Sequence, residues 1–173
     1  MHKVTIASDH RGVHIKDRLI QALRAHEFIV SDEGTDSEKS VDYPDYAQQV
    51  ARKVSSGEAD RGILICGTGI GMAITANKFP RVRAASCYDE VMVEMSRRHN
   101  DVNILCLPGD MIGDRTIDEL VLMWLNTKFD GGRHADRVNK ISEIESHSCN
   151  EPGCNEPGKD EISLDPSASS LDP

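Results

Sequence analysis

Residues 62–71 read Gly62-Ile63-Leu64-Ile65-Cys66-Gly67-Thr68-Gly69-Ile70-Gly71, and this stretch decides the fold. A short, continuously apolar run that breaks into glycines predicts a strand buried on both faces, turning directly into a helix of about 70–78. Outward from it, short apolar runs alternate with amphipathic ones. Val4-Thr5-Ile6-Ala7 reads as a first strand, and 11–25 as a helix with Ile15, Leu19, Ile20 and Leu23 on one face. Phe28-Ile29-Val30 is a second strand, and 44–55 a helix carrying Tyr46, Val50 and Val54. Residues 82–86 and 103–107 read as strands four and five around a helix at 89–98, and helices near 114–126 and 133–145 close the pattern. Buried strands alternating with helices predict an α/β fold, a doubly wound, Rossmann-like five-stranded parallel sheet with helices on both faces. A strand order of 2-1-3-4-5 would put the ligand crevice between strands one and three, beyond their carboxyl ends.

The chain has 173 residues and a formal charge of −9, enough for one domain with a real core. The charge is unevenly placed. Residues 1–144 hold nineteen basic and twenty-two acidic side chains, a net −3, whereas from Glu145 onward seven acidic residues and one lysine give −6. Nothing in the near-neutral part suggests a surface for nucleic acid or an anionic membrane. The opening Met-His-Lys-Val-Thr-Ile-Ala lacks the apolar segment of a signal peptide. Five cysteines, three of them in or at the end of apolar strands (Cys66, Cys87, Cys106), predict reduced thiols and a cytoplasmic location. These features divide the chain into a domain at 1–145 and a disordered acidic tail, rich in Pro, Gly and Ser, at 146–173. Cys149, Cys154 and His147 lie in or beside that tail, too few and too widely spaced for a structural zinc site.

Strand one ends in Ser8-Asp9-His10-Arg11-Gly12, and strand three in the glycine loop. Gly67, Gly69 and Gly71 allow successive amides to turn inward as a nest for an anion. The loop completes neither a dinucleotide fingerprint, since Ala73 and Ile74 stand where a third glycine would fall, nor a Walker loop. Cys66 at the mouth of the nest is either a thiol with its thiolate stabilised below the free value of ~8.5, or a small hydrophobe ending a core strand. Asp9 is either an acid in the crevice or the N-cap of the first helix. His99, after the helix 89–98, is either a titratable group of the site or a cation at a helix C-terminus. Arg133 and Arg137, at i and i+4, share a helix face. They cost about 0.2–0.5 kcal/mol together unless an anion lies between them, and Asp130, Asp136 or a phosphate would serve.

At these residues the sequence resembles the ribose-5-phosphate isomerase B / galactose-6-phosphate isomerase family. The matching segments are Ala7-Ser8-Asp9-His10-Arg11-Gly12, Asp42-Tyr43-Pro44-Asp45-Tyr46-Ala47, Gly62 through Met72, Ala76-Asn77-Lys78, Arg97-Arg98-His99-Asn100-Asp101 and Gly131 through Val138. The resemblance implies an aldose–ketose isomerase that interconverts ribose 5-phosphate and ribulose 5-phosphate through an enediolate, with no metal or organic cofactor. It implies Cys66 as the base that moves a proton between C2 and C1, and the amides of Gly67, Gly69, Ile70 and Gly71 as the anion hole. Thr68 would shuttle hydroxyl protons, and His99 with Asp9 would open the furanose ring. His10, Arg133 and Arg137 would hold the phosphate, and Tyr43 and Asn100 the sugar hydroxyls. The family forms homodimers or dimers of dimers whose active sites are shared between subunits.

Some family members place serine at position 66 and a glutamate base where this chain has Met72; Cys66 and Met72 align it with the cysteine branch. Many carry an arginine in the loop after strand five, where this chain has Asp110. A six-carbon sugar phosphate is the alternative substrate, and a non-catalytic module binding a phosphorylated ligand is the alternative class. The joint presence of Cys66, Asp9 and His99 weighs against the latter.

Overall fold

The computed structural model describes residues 2–148. The elements run β1 (Lys3–Ser8), α1 (Val13–Ala25), β2 (Ile29–Asp32), α2 (Tyr43–Ser56), β3 (Arg61–Cys66), α3 (Ile70–Ala76), β4 (Ala84–Ser86), α4 (Glu90–Asn100), β5 (Ile104–Pro108), α5 (Asp114–Asn126) and α6 (Arg133–Ser148). All strand pairs are parallel, as continuously apolar strands separated by helices require. Helix α6 runs to Ser148, three residues past the expected domain boundary. The expected disordered tail otherwise lies outside the described residues, as do Cys149 and Cys154. No helix among the described residues is long and apolar enough to cross a membrane.

The strand order is β2-β1-β3-β5-β4, so the order 2-1-3-4-5 was wrong at its far edge. Every residue of β5 is buried, whereas β4 is three half-buried residues. The longer apolar strand takes the interior and the short one the edge, where exposed ladder groups are least costly. Asn77 then pairs with β4, accepting from the Ala84 amide and donating to its carbonyl, both at 2.8 Å. The reversal of direction between β1 and β3 stands as expected, and the crevice with it.

Alternation along the strands sorts the core into two layers. Ile63 and Ile65 point with Val4, Ile6 and Leu105 toward Leu19 and Leu23 of α1 and Trp124 of α5. Leu64 and Cys66 point with Ala7 and Cys106 toward Val50 and Ala51 of α2 and Met72 of α3. Cys66, Cys87 and Cys106 are free and buried, so these three are thiols as expected.

Candidate active site

At the carboxyl ends of β1 and β3 the chain bends tightly. The Asp9 amide donates to the Ile65 carbonyl at 3.1 Å and the Gly109 amide to the Cys66 carbonyl at 2.8 Å, tying three strand ends together. Gly69, the N-cap of α3, has φ +73. A β-carbon there would meet Ser86 Oγ at 2.8 Å and the carbonyl carbons of Cys106 and Leu107 at 3.2 Å, so only glycine fits the turn. At Gly71 a β-carbon would fall 2.5 Å from the Tyr43 ring. The ring of Tyr43 thus lies on the first turn of α3.

Cys66 ends β3 with its thiol turned into this loop, where Sγ accepts from the Gly69 amide at 3.2 Å. The expectation of a lowered thiol pKa is corrected: burial pushes Cys66 above its ordinary value of 9.0. The amides of Thr68, Gly69 and Met72 pull the other way, while the Asp9 charge adds to the rise. Desolvation of a thiolate in a strand end outweighs a few oriented dipoles. Two of the loop's amides are engaged within the loop, Gly69 with Cys66 Sγ and Ile70 with Thr68 Oγ1 at 3.4 Å. Thr68 is exposed, and its carbonyl accepts from Ser86 Oγ at 3.2 Å.

Asp9 does not cap α1. The N-cap is Gly12, without a side-chain bond, because the chain takes one more turn before the helix. The Asp9 carboxylate accepts instead from the Arg11 amide at 2.9 Å. Asp9 is 5% exposed, and burial raises its pKa against the lowering effect of the Arg11 and Gly12 amides. His10 Nδ1 accepts from the Val41 amide at 3.3 Å. A ring nitrogen that accepts is unprotonated, so the proton of the neutral ring sits on Nε2.

The remaining expected residues are elsewhere. His99 does not follow α4 but lies within its last turn, with Asn100 after it; the Asp101 C-cap, at φ +47, extends the helix past the expected end. Parallel connections run helices back toward the strands' amino ends, so this turn sits beside the start of β5. Arg83, just before β4, holds the carbonyls of Asn100 and Asp101 at 3.1 and 3.0 Å. Cys66 lies opposite Pro108, at the other end of β5, about 13 Å away at 3.3 Å per residue. The start of α6 joins His99: the Asp130 amide donates to the Arg98 carbonyl at 3.0 Å. The rings of His99 and His134 stack at 4.1 Å with 3° between planes. Arg133 and Arg137 are exposed and form no ion pair among the described residues, since Asp130 is taken by Arg98. Burial, then the charges of His99, Arg133 and Arg137, lower the His134 pKa.

The expected site residues therefore fall into two groups, called half-sites below: Asp9, His10, Tyr43, Cys66 and the glycine loop at one end of the sheet, and His99, Asn100, Arg133 and Arg137 at the other. His99, Asp130 and His134 bring donor atoms within 4.8 Å of one another. Parallel rings, however, direct their in-plane lone pairs side by side, and no common point receives them. Around Asp17, Asp32 and Asp36 the cation is already present, as the buried Lys16 ammonium bonds Asp17 at 2.8 Å and Asp32 at 2.6 Å.

Sequence reasoning missed this lysine, the Val41 bond to His10, and an ion pair at the mouth of the glycine loop, Arg11 Nε to Asp110 Oδ2 at 2.5 Å. The only signal for the pair is its opposite charges in two loops that the crevice topology brings together.

The ribose/galactose isomerase family model matches residues 4–141. A provisionally named sugar phosphate isomerase of Bacillus subtilis is 50% identical over 144 residues, 83% of this chain and 97% of its own. Ribose-5-phosphate isomerase B of Escherichia coli is 42% identical over 84% of this chain and 97% of its own. The ribose-5-phosphate isomerase B structure from Clostridium thermocellum superposes with a TM-score of 0.82 at 49% identity, covering 84% of this chain and 98% of that one. A family model spanning most of the domain, together with relatives this similar over nearly their whole length, leads to one conclusion: the chain belongs to the ribose/galactose isomerase family and is an aldose–ketose isomerase.

Proposed function

We propose that the chain interconverts ribose 5-phosphate and ribulose 5-phosphate in the cytoplasm, as a homodimer whose active sites each combine the two half-sites from different subunits. The observation that carries this is the Cys66 thiol, buried at the end of β3 and bonded by the Gly69 amide at 3.2 Å. A binding module has no use for a thiol in that position. An isomerase needs a base beside amides that meet a developing oxyanion.

In this reading His99 of one subunit and Asp9 of the other open the furanose ring. The Cys66 thiolate takes the proton from C2, leaving an enediolate whose oxygen meets the loop amides from Gly67 to Gly71, and returns that proton to C1. Thr68 moves the hydroxyl proton between O1 and O2. Tyr43 and Asn100 hold sugar hydroxyls, while His10 Nε2–H, Arg133 and Arg137 hold the phosphate. Two arginines at i and i+4 without an acidic partner suit a phosphate between them.

The test is Cys66→Ser, assayed with ribose 5-phosphate and with allose 6-phosphate. A hydroxyl fits the site but does not ionise near neutral pH. Turnover of ribose 5-phosphate, the better substrate of the wild type, should fall about 10²–10⁴-fold while the melting temperature stays put. Retention of activity within tenfold would remove Cys66 from the role of base.

A further inference from the structure

We propose that Arg11 contacts the phosphate of the substrate and that Asp110 positions it, a specificity device resting on the sugar-phosphate reading above. The two side chains come from different loops, Arg11 directly after His10 and Asp110 two residues after β5. They meet over the glycine loop, where a β-carbon on Gly67 would lie 2.7 Å from Asp110 Oδ2 and 3.4 Å from Arg11 Nε. The Asp110 amide donates to the Gly67 carbonyl at 3.3 Å, so the carboxylate is fixed to the loop whose mouth it overhangs.

Charge decides what the pair is for. Among residues 8–12, 66–72 and 108–110, the loops at the ends of β1, β3 and β5, Arg11 is the only lysine or arginine. Asp9 and Asp110 are both acidic, and His10 Nδ1 is already taken by the Val41 amide. Without Arg11 this wall of the crevice would repel a phosphate. An ion pair whose side chains are 44% and 38% exposed contributes little to folding. Its effect is on orientation: engaging Nε on Asp110 fixes the guanidinium plane over the loop, and planar guanidinium forks match phosphate oxygens.

The test is a double-mutant cycle on KM for ribose 5-phosphate, with kcat measured alongside. Arg11→Ala should raise KM roughly tenfold or more with little change in kcat, as loss of a bond to a charged group does. Asp110→Ala in the wild-type background should raise KM several-fold, because the cation loses its anchor. In the Arg11→Ala background the same change should lower KM, because the carboxylate left behind repels the phosphate. That reversal of sign is not expected of a purely structural pair, and Arg11→Lys should restore part of the affinity and covers a poorly folding alanine variant. KM within twofold of wild type in both Arg11 variants, or the same sign for Asp110→Ala in both backgrounds, overturns the proposal. A wild-type chain inactive on ribose 5-phosphate would count against the functional reading alone. Calorimetry with inorganic phosphate then decides the Arg11 question, with weaker binding by Arg11→Ala expected and equal binding overturning it.

Discussion

The two half-sites differ in almost every physical respect. The one at the strand ends is built from backbone: Cys66 and Asp9 are buried at 5% exposure, and their partners are the amides of Gly69 and Arg11. The one at the end of α4 and the start of α6 is built from exposed charge, with Arg133 and Arg137 unpaired among the described residues. The first is set by the sheet itself and holds the group that needs a water-poor setting. The second presents cations on a helix surface that does not fold back over its own crevice. A chain so arranged can prepare its proton-transfer chemistry alone, but in our reading it needs a second copy to hold the substrate.

Mixing two variants, each impaired at low substrate, breaks or confirms that division, and the effect should be the largest available. Cys66→Ser damages only the strand-end half and Arg137→Ala only the helical half. At low substrate Cys66→Ser alone should lose about a hundredfold or more and Arg137→Ala roughly tenfold to more than a hundredfold. Refolded together in equal amounts, random pairing leaves one intact composite site in each mixed dimer, or about a quarter of wild-type activity. No recovery in a mixture shown to contain mixed dimers would mean that both halves serve the same chain.

Arg137→Ala by itself should be smaller and fall on binding. Loss of a bond to a charged group removes ~1.5–3 kcal/mol, roughly tenfold to more than a hundredfold in KM. With the phosphate held equally in ground and transition states, kcat should barely move. A steady-state comparison with free ribose checks this, since the preference for the phosphorylated sugar should shrink in proportion. An unchanged KM would leave the arginine face to solvent.

What could be read from the sequence follows the same division. The strand-end half was legible because buried strands and glycine turns leave local marks, and residues 62–71 alone fixed β3, its turn and the place of Cys66. The charge state of that thiol was not legible, because it depends on how much burial outweighs the amides, which only the fold reveals. The choice between Asp9 as an acid in the crevice and as a helix cap stayed open because the extra turn to Gly12 has no sequence signature. The edge position of β4 was misjudged because the chain order of strands does not determine their spatial order. On the helical half, His99, Arg133 and Arg137 could be picked out, but not their separation from Cys66 within one chain. Nor could the Arg11–Asp110 pair be found, since it joins two loops 99 positions apart.

The raised thiol predicts a pH dependence belonging to the strand-end half alone. In our reading the thiolate is the reactive form, and burial holds the thiol pKa above the ordinary 9.0. In the free enzyme kcat/KM should therefore climb with pH through the neutral range and be lost as pH falls. The Asp9 charge contributes to the rise, so Asp9→Asn should move the midpoint of that limb to lower pH even as it slows ring opening. Arg137→Ala should leave the midpoint where it is. A profile that responds to Arg137 and not to Asp9 would mean the titrating group is not Cys66.

The smallest effect concerns how the helical half is held in place. Helix α6 packs on α4 through its first turns, but near its end Glu145 Oε1 accepts from the Arg81 amide at 2.7 Å. Arg81 itself has φ +62, an uncommon conformation for a residue with a side chain, and its guanidinium bonds the Ser55 carbonyl of α2. The far end of α6 is thus fastened to the loop before β4, and the arginine face depends on that fastening for its direction. Ending the chain after Ser148 should leave stability within about 0.5 kcal/mol and both kinetic constants unchanged. Ending it after Ile144 removes Glu145 and should cost about 1 kcal/mol of stability. KM should then rise slightly, with kcat and the pH midpoint of the Cys66 half untouched, because only the phosphate-holding helix has loosened. Denaturant melts and steady-state kinetics on the two truncations separate these outcomes, and a loss of kcat in the shorter chain would show that α6 supports the chemistry as well as the phosphate.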